Sequence, residues 1–232
     1  MKPISCARRR FPTDTIGQTV WLYFRFRLSF RDVEDLMAEP SMDVSHETIL
    51  WWTQKSGQFF AYNLRKSRVV PTSRWHLDEM VVRIGGERMY LWRAVDDEGE
   101  VLDMLVQKRR NKQAALRLLG KLLKHQGIHP QSFVTDGLTS YWPAFNDLGD
   151  ANCHQPGRLR DNNRAENSHL PILRRERKQQ RFKSLGSAKR FLVTYAAVYN
   201  TFNVQSHLIR RSSLHHLRTQ AKATWAAASV AA

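Results

Sequence analysis

A chain of 232 residues with 42% hydrophobic and 25% charged content has the composition of a globular protein, long enough to bury one large core or two smaller ones. Its 37 Lys and Arg against 21 Asp and Glu leave a formal net charge of +16, which calls for a polyanionic partner, nucleic acid before an anionic membrane surface. Two cysteines, Cys6 and Cys153, exclude a disulfide framework or a zinc knuckle, and Phe191 to Ile209, free of charge, is too interrupted by Asn200, Asn203, Gln205, Ser206 and His207 to span a membrane.

The N-terminus is basic at Arg8-Arg-Arg10 but lacks the apolar core of a secretory signal, so a reducing, cytoplasmic setting is expected. Thr13 is placed to cap a helix running to about Arg27, with Val20, Trp21, Phe24 and Leu28 at helical spacing. Ser29 caps a second helix, with Asp32 near its positive end and Val33, Leu36 and Met37 facing inward. After a break at Pro40-Ser41, Ser45 caps a third, from His46 to about Lys66, whose apolar side is Ile49, Trp52, Phe59 and Phe60. The pair has the outline of a helix-turn-helix, with His46, Thr48, Leu50 and Trp51 towards a major groove; a plain helical hairpin has the same outline.

Beyond the basic linker Arg65-Lys-Ser-Arg68 the period changes from helical to alternating. Strands are expected over Arg74 to Ile84, Arg88 to Val95 and Glu100 to Gln107, joined by the turns Gly85-Gly86 and Asp96-Asp-Glu-Gly99. Asn111 caps a helix to about Gln126 with Ala115, Leu118, Leu119, Leu122 and Leu123 buried. A short fourth strand spans Ser132 to Thr135, a helix follows from about Thr139 to Leu148, and a weak fifth strand is placed at Ala151 to Cys153. From Asn163 the chain is helical, with a break near Ser184-Leu-Gly186, an apolar stripe at Phe191, Tyr195, Val198 and Phe202, and a frayed tail from Ala226 to Ala232.

This order gives an α/β protein with three parts. An N-terminal helix-turn-helix region with its linker occupies 1–68, a ribonuclease-H-like mixed-sheet domain 69–205, and a C-terminal helix and tail 206–232. The first three strands would be antiparallel, and the fourth, reached by a crossover helix, would lie parallel beside the first. Asp78 and Asp136 would then be neighbours, and a helix after the fifth strand would bring Glu166 to both. Three acids from three elements suffice for a two-Mg²⁺ phosphoryl-transfer site, with Mn²⁺ as a substitute, because Mg²⁺ takes only one or two carboxylates per ion.

Each acid has a plainer reading. Asp136-Gly137 is also the signature of a strand-ending turn, and Asn163-x-x-Glu166 has the spacing of a capping box. Asp78 shares a strand face with Met80 and Val82, so it is partly desolvated and needs a cation or strong donor. Glu79 points to the opposite face, so the functional acid of this strand is expected to be one or the other. His76 and His169, beside these acids, read as orienting or core histidines rather than Mg²⁺ ligands.

Trp75-His-Leu-Asp-Glu79, Tyr90-Leu-Trp-Arg-Ala-Val-Asp96, Val134-Thr-Asp136 and Asn162-Asn-Arg-Ala-Glu-Asn-Ser-His169 resemble the bacterial insertion-sequence transposases of the IS-six type. Phe24-Arg-Phe-Arg-Leu-Ser-Phe-Arg-Asp32, Val44-Ser-His-Glu-Thr48 and Arg174-Arg-Glu-Arg177 carry the same resemblance, which runs from about Phe11 to Trp225. It implies that Asp78, Asp136 and Glu166 are the acidic triad of a DDE recombinase. It implies too a reaction that frees a 3′-hydroxyl at element ends and joins it to target DNA, replicatively, through a cointegrate. Two departures mark this chain: Leu173 stands seven positions after the glutamate, where many relatives are basic, and Glu39-Pro-Ser-Met42 occupies the turn between the reader helices.

Arg174-Arg-Glu-Arg-Lys-Gln-Gln-Arg-Phe-Lys183 holds six basic residues and one acid, too few acids for pairing along a helix. Arg174, Arg175, Arg177, Lys178 and Arg181 are therefore expected on DNA phosphates, and roughly eight neutralised phosphates would give a log–log salt slope of about −7. The expected partners are double-stranded DNA, both terminal inverted repeats and target, no membrane, and a second copy of the chain, since two DNA ends must be held together. The other readings are an inactive DNA-binding derivative of such an enzyme and a nuclease for RNA–DNA hybrids.

Overall fold

A computed structural model describes residues 11–157, 162–178, 181–204 and 209–230. Cys6, Arg8 to Arg10, the boundary at 205/206 and the last two residues of the expected tail lie outside them. The described residues fall into two compact units, one formed by 1–68 with 189–232, the other by 69–188.

In the first unit, helices α1 (Thr13–Arg25), α2 (Phe30–Ala38), α3 (His46–Lys66) and α8 (Arg211–Val230) enclose Ile16, Val20, Phe24, Ile49, Trp52 and Phe60. Thr13 is the first residue of α1 and not its cap; that place falls to Pro12, which offers no side-chain bond. Ser29 and Asp32 form a reciprocal capping box on α2, and the Ser45 hydroxyl accepts from the Thr48 N–H on α3, as the sequence leads one to expect. The tail is helical to Val230, because Trp225, Ala228 and Ser229 are buried against the bundle and the Trp225 indole N–H donates to the Gly17 carbonyl at 3.2 Å. Gly17 permits that approach, since a Cβ there would lie 2.9 Å from Ser229 Oγ. Helix α7 (Leu185–Phe202) contributes its residues from 189 onward to this unit, where Phe191 packs on Tyr23 and Phe24. The aromatic stripe of α7 thus packs on α1 within this unit.

The second unit is a five-stranded mixed sheet in the order β3-β2-β1-β4-β5. β1 (Arg74–Ile84), β2 (Glu87–Asp96) and β3 (Val101–Gln107) form an antiparallel meander, and β4 (Ser132–Thr135) lies parallel beside β1. Gly85 and Gly86 both have positive φ, the backbone that a two-residue hairpin turn requires. The fifth strand is His154–Pro156, three residues later than expected; Ala151–Cys153 forms a 3-10 turn leading into it.

Period-two alternation sorts β1 into two layers. Trp75 and Leu77 join Trp92, Ala94 and Phe133 in a core covered by α4 (Lys112–Gln126) and α5 (Tyr141–Leu148). His76, Asp78, Met80 and Val82 alternate with them, on the other face, and α6 (Asn163–Lys178) packs on β1 and β2. Leu118, fully buried on α4, anchors the first layer. Leu118→Ala should cost about 3 kcal/mol by combined transfer and cavity terms, read as a lower urea midpoint at unchanged slope in circular dichroism.

Candidate active site

The pairing of β1 with β4 sets Leu77 opposite Thr135, so the next residues on each strand, Asp78 and Asp136, stand side by side where β4 ends. Asp136 is fixed locally: its Oδ1 accepts from the Leu138 N–H at 3.1 Å, and Gly137, at φ 83°, turns the chain away. The strand-ending turn and the acid site are therefore the same residues.

Glu166 arrives on α6. The buried Asn162 at the head of that helix donates to the Leu77 carbonyl at 2.9 Å, and its own carbonyl accepts from the Ala165 and Glu166 N–H groups. Since α6 begins at Asn163, its flanking residue is Asn162 and a capping box would call on Ala165; Glu166 is left for other work. Its charge raises the pKa of Asp78. Deeper along the helix, the buried Arg93 of β2, paired in register with Asp78, donates to the Ser168 carbonyl at 2.5 Å.

Among the described residues, the three carboxylates whose oxygens converge within 4.8 Å are Asp78, Glu79 and Asp136; Glu166 is outside that tight group. The alternation of β1 does send Glu79 to the α4/α5 side, where the Tyr141 hydroxyl donates to Oε2 at 3.4 Å and Arg110 Nε to Oε1 at 2.6 Å. Yet β4 stops before reaching Glu79, and the open sheet edge lets acids from both faces meet. Asp78 and Glu79 therefore line one carboxylate cluster although they leave β1 on opposite faces. Arg110, between β3 and α4, ties the two layers together, reaching Asp136 Oδ2 at 3.6 Å. Nothing in the local pattern around Arg110 or Tyr141 marks them; only the crossover topology brings them in.

Burial first, and then the charges of Glu79 and Asp136, push the Asp78 carboxyl up to about 7. Burial and the Asp136 charge raise Glu79 to about 7 against the opposing pull of Arg110. Burial, with Arg93 behind it, lowers His169 to about 3, so its ring is neutral, with Nδ1 3.4 Å from Asp78 Oδ2. His76 is buried and bonded to Asp97 at 2.9 Å. Hard oxygen donors, crowded and reluctant to ionise without a counter-charge, suit a hard divalent cation.

Of the expected DNA-binding residues, Trp51 and Leu50 are exposed on α3, and Thr48 is half-buried with its hydroxyl 3.1 Å from Ser45. His46 lies between Glu34 of α2 at 3.1 Å and Glu47 at 3.0 Å, so it clips the two helices together. The connection between these helices, Glu39 to Ser45, is longer than the three or four residues of a tight helix-turn-helix, with Ser41 at φ 62°. On and after α6, Arg174, Arg177, Lys178 and Arg181 are exposed, whereas Arg175 is buried at 1% exposure and does not face solvent. Leu173 is half-buried. No helix among the described residues is long and apolar enough to cross a membrane.

A family model described as a DDE domain matches residues 72–205. The transposase of the insertion sequence-like element IS431mec from Staphylococcus aureus is 30% identical over 82% of this chain and 85% of its own length. That of IS257 in transposon Tn4003, from the same organism, is 29% identical over the same shares. The chain belongs to the DDE transposases of the IS-six insertion-sequence type. A solved simian T-cell lymphotropic virus intasome is a distant likeness, with 18% identity, a TM-score of 0.44, and coverage of 64% of this chain and 56% of its own.

The raised acids of this transposase carry a stability signature whose sign is fixed. Folded Asp78 and Glu79 keep protons to about 7, which unfolded carboxyls release near pH ~4, so their contribution is full below that and lost as pH rises through about 7. His169 runs the other way, full above about pH 6.5 and lost towards about 3. Relative to Asp78→Asn, the melting temperature of the parent should therefore fall between about pH 5 and about pH 8, and Mg²⁺ should recover it at the upper end. Parallel melting curves for the two proteins would sink this account.

Proposed function

We propose that this transposase cleaves DNA at the ends of its element and joins the freed 3′-hydroxyl to target DNA, with Asp78, Asp136 and Glu166 as the catalytic and metal-holding residues and a replicative outcome. The observation that carries the proposal is the β1–β4 register, which sets Asp78 beside Asp136, together with the charge of Glu166 at Asp78. Two divalent cations, Mg²⁺ or Mn²⁺ in its place, would supply Lewis-acid stabilisation of the attacking and leaving oxygens.

The chain's own residues do the rest. Asp78, Asp136 and Glu166 bind as ionised oxygens; Asn162 and Arg93, by their bonds to the Leu77 and Ser168 carbonyls, hold α6 and with it Glu166 at the strand edge. Neutral His169 stands beside Asp78 without adding a cation that would compete for it. DNA is double-stranded, with terminal repeats and target both engaged. Trp51, Thr48 and His46 on α3 form one contact surface, while Arg174, Arg177, Lys178 and Arg181, with Arg175 steadying the helix from within, form the other. Two ends joined in one reaction require at least a dimer.

Asp136→Asn should abolish strand transfer of terminal-repeat DNA while leaving the mobility shift on that DNA intact; strand transfer by the variant would remove Asp136 from the mechanism. Replacing Arg174 and Arg177 by Ala should weaken binding across all sequences and make the log–log salt slope shallower by about 2, one for each phosphate that is no longer neutralised.

A further inference from the structure

Glu79 has no place in the triad, yet its carboxylate lies within 4.8 Å of both Asp78 and Asp136. Its oxygens are occupied differently from theirs. Glu79 Oε1 accepts from Arg110 Nε at 2.6 Å and from the guanidinium's terminal nitrogen, and Oε2 accepts from the Tyr141 hydroxyl at 3.4 Å. Among the described residues, Asp78 has its neighbour's N–H on Oδ1 and the His169 ring 3.4 Å from Oδ2; Asp136 has the Leu138 N–H on Oδ1 and Arg110 at 3.6 Å on Oδ2. Two side-chain donors, both from the α4/α5 side of the sheet, thus draw the Glu79 carboxylate to their own layer.

We propose that Arg110 and Tyr141 are positioning residues that hold Glu79 off the metal, so that a three-acid cluster works as a two-acid edge with Glu79 as a tethered anion. This rests on the reading that Asp78 and Asp136 hold a divalent cation. The physical reason is coordination. Mg²⁺ in phosphoryl-transfer sites keeps most of its positions for water and phosphate oxygens and takes only one or two carboxylates from the protein. A third carboxylate released into the cluster would bind the ion more tightly and fill a position that substrate needs. Arg110 trades affinity for open coordination, and its charge offsets the excess of acid while it does so.

Mn²⁺ binding, followed by electron paramagnetic resonance on the full chain, tests this without reference to activity. Arg110→Gln should bind Mn²⁺ about tenfold more tightly than the parent, at the lower end of the range by which partners outside the first sphere alter metal affinity. Adding Glu79→Gln to it should return the affinity to within about threefold of the parent. An Arg110→Gln protein that binds no more tightly, or a double variant about tenfold or more weaker than the parent, overturns the inference. A crystal structure of the parent with Mn²⁺ decides it should Arg110→Gln not fold: Glu79 still on Arg110 is expected, and Glu79 on the ion overturns it. Asp136→Asn serves as the separate control, because Mn²⁺ binding that survives it defeats the metal-site reading itself, whatever Arg110 does.

Discussion

Everything at the site depends on one pairing, the parallel register of β1 and β4. Parallel neighbours need a crossover, and the crossover here is α4, whose Leu118, Leu119 and Leu122 bury against Trp75, Leu77 and Phe133. A slip of one residue would turn Asp136 to the other face and leave Asp78 buried without its neighbour. The apolar layer therefore stabilises the register, and the register in turn forces two acids together at a cost that neither would bear alone.

That cost is met by groups drawn from both layers. On the α6 side, Asn162 and Arg93 donate to the Leu77 and Ser168 backbone carbonyls and so fix where the helix sits. On the α4/α5 side, Arg110 and Tyr141 donate to Glu79 directly. The division is chemically sensible. One side locks geometry and leaves the Asp78 carboxylate available; the other consumes a carboxylate that the edge cannot use.

Much of this was legible in the sequence because it rests on short-range rules. The strand period of Arg74 to Ile84, the two glycines after it, and the caps Ser29, Ser45 and Asn111 all stand where local chemistry puts them. What failed were inferences that needed the third dimension. Alternation correctly separated Asp78 from Glu79, but the early end of β4, which lets them meet again, is a property of the neighbouring strand. The fifth strand is only His154–Pro156, too short for any period to show, and the apolar pattern points instead to Ala151 to Cys153, which forms a 3-10 turn. The alanine-rich tail lacks polar caps, so its order follows from Trp225 packing on Phe60 and its indole reaching the Gly17 carbonyl, partners more than a hundred residues distant in sequence.

The basic run shows the same limit and leads back to the acids. Counted as composition, six cations in ten residues form one phosphate-binding stripe; folded, α6 turns Arg175 inward and leaves Arg174, Arg177 and Lys178 outside, with Arg181 exposed beyond its end. A net charge of +16 attracts DNA to the molecule as a whole, while the cluster of Asp78, Glu79, Asp136 and nearby Glu166 repels a phosphate at short range. These fields conflict only while the acids stand uncompensated, because a bound divalent ion is the largest local charge and reverses the sign that a phosphate meets. Glu166 opens α6, while Arg174, Arg177 and Lys178 lie roughly two to three turns further along the same helix, so one element carries both signs of charge at separate places along its length.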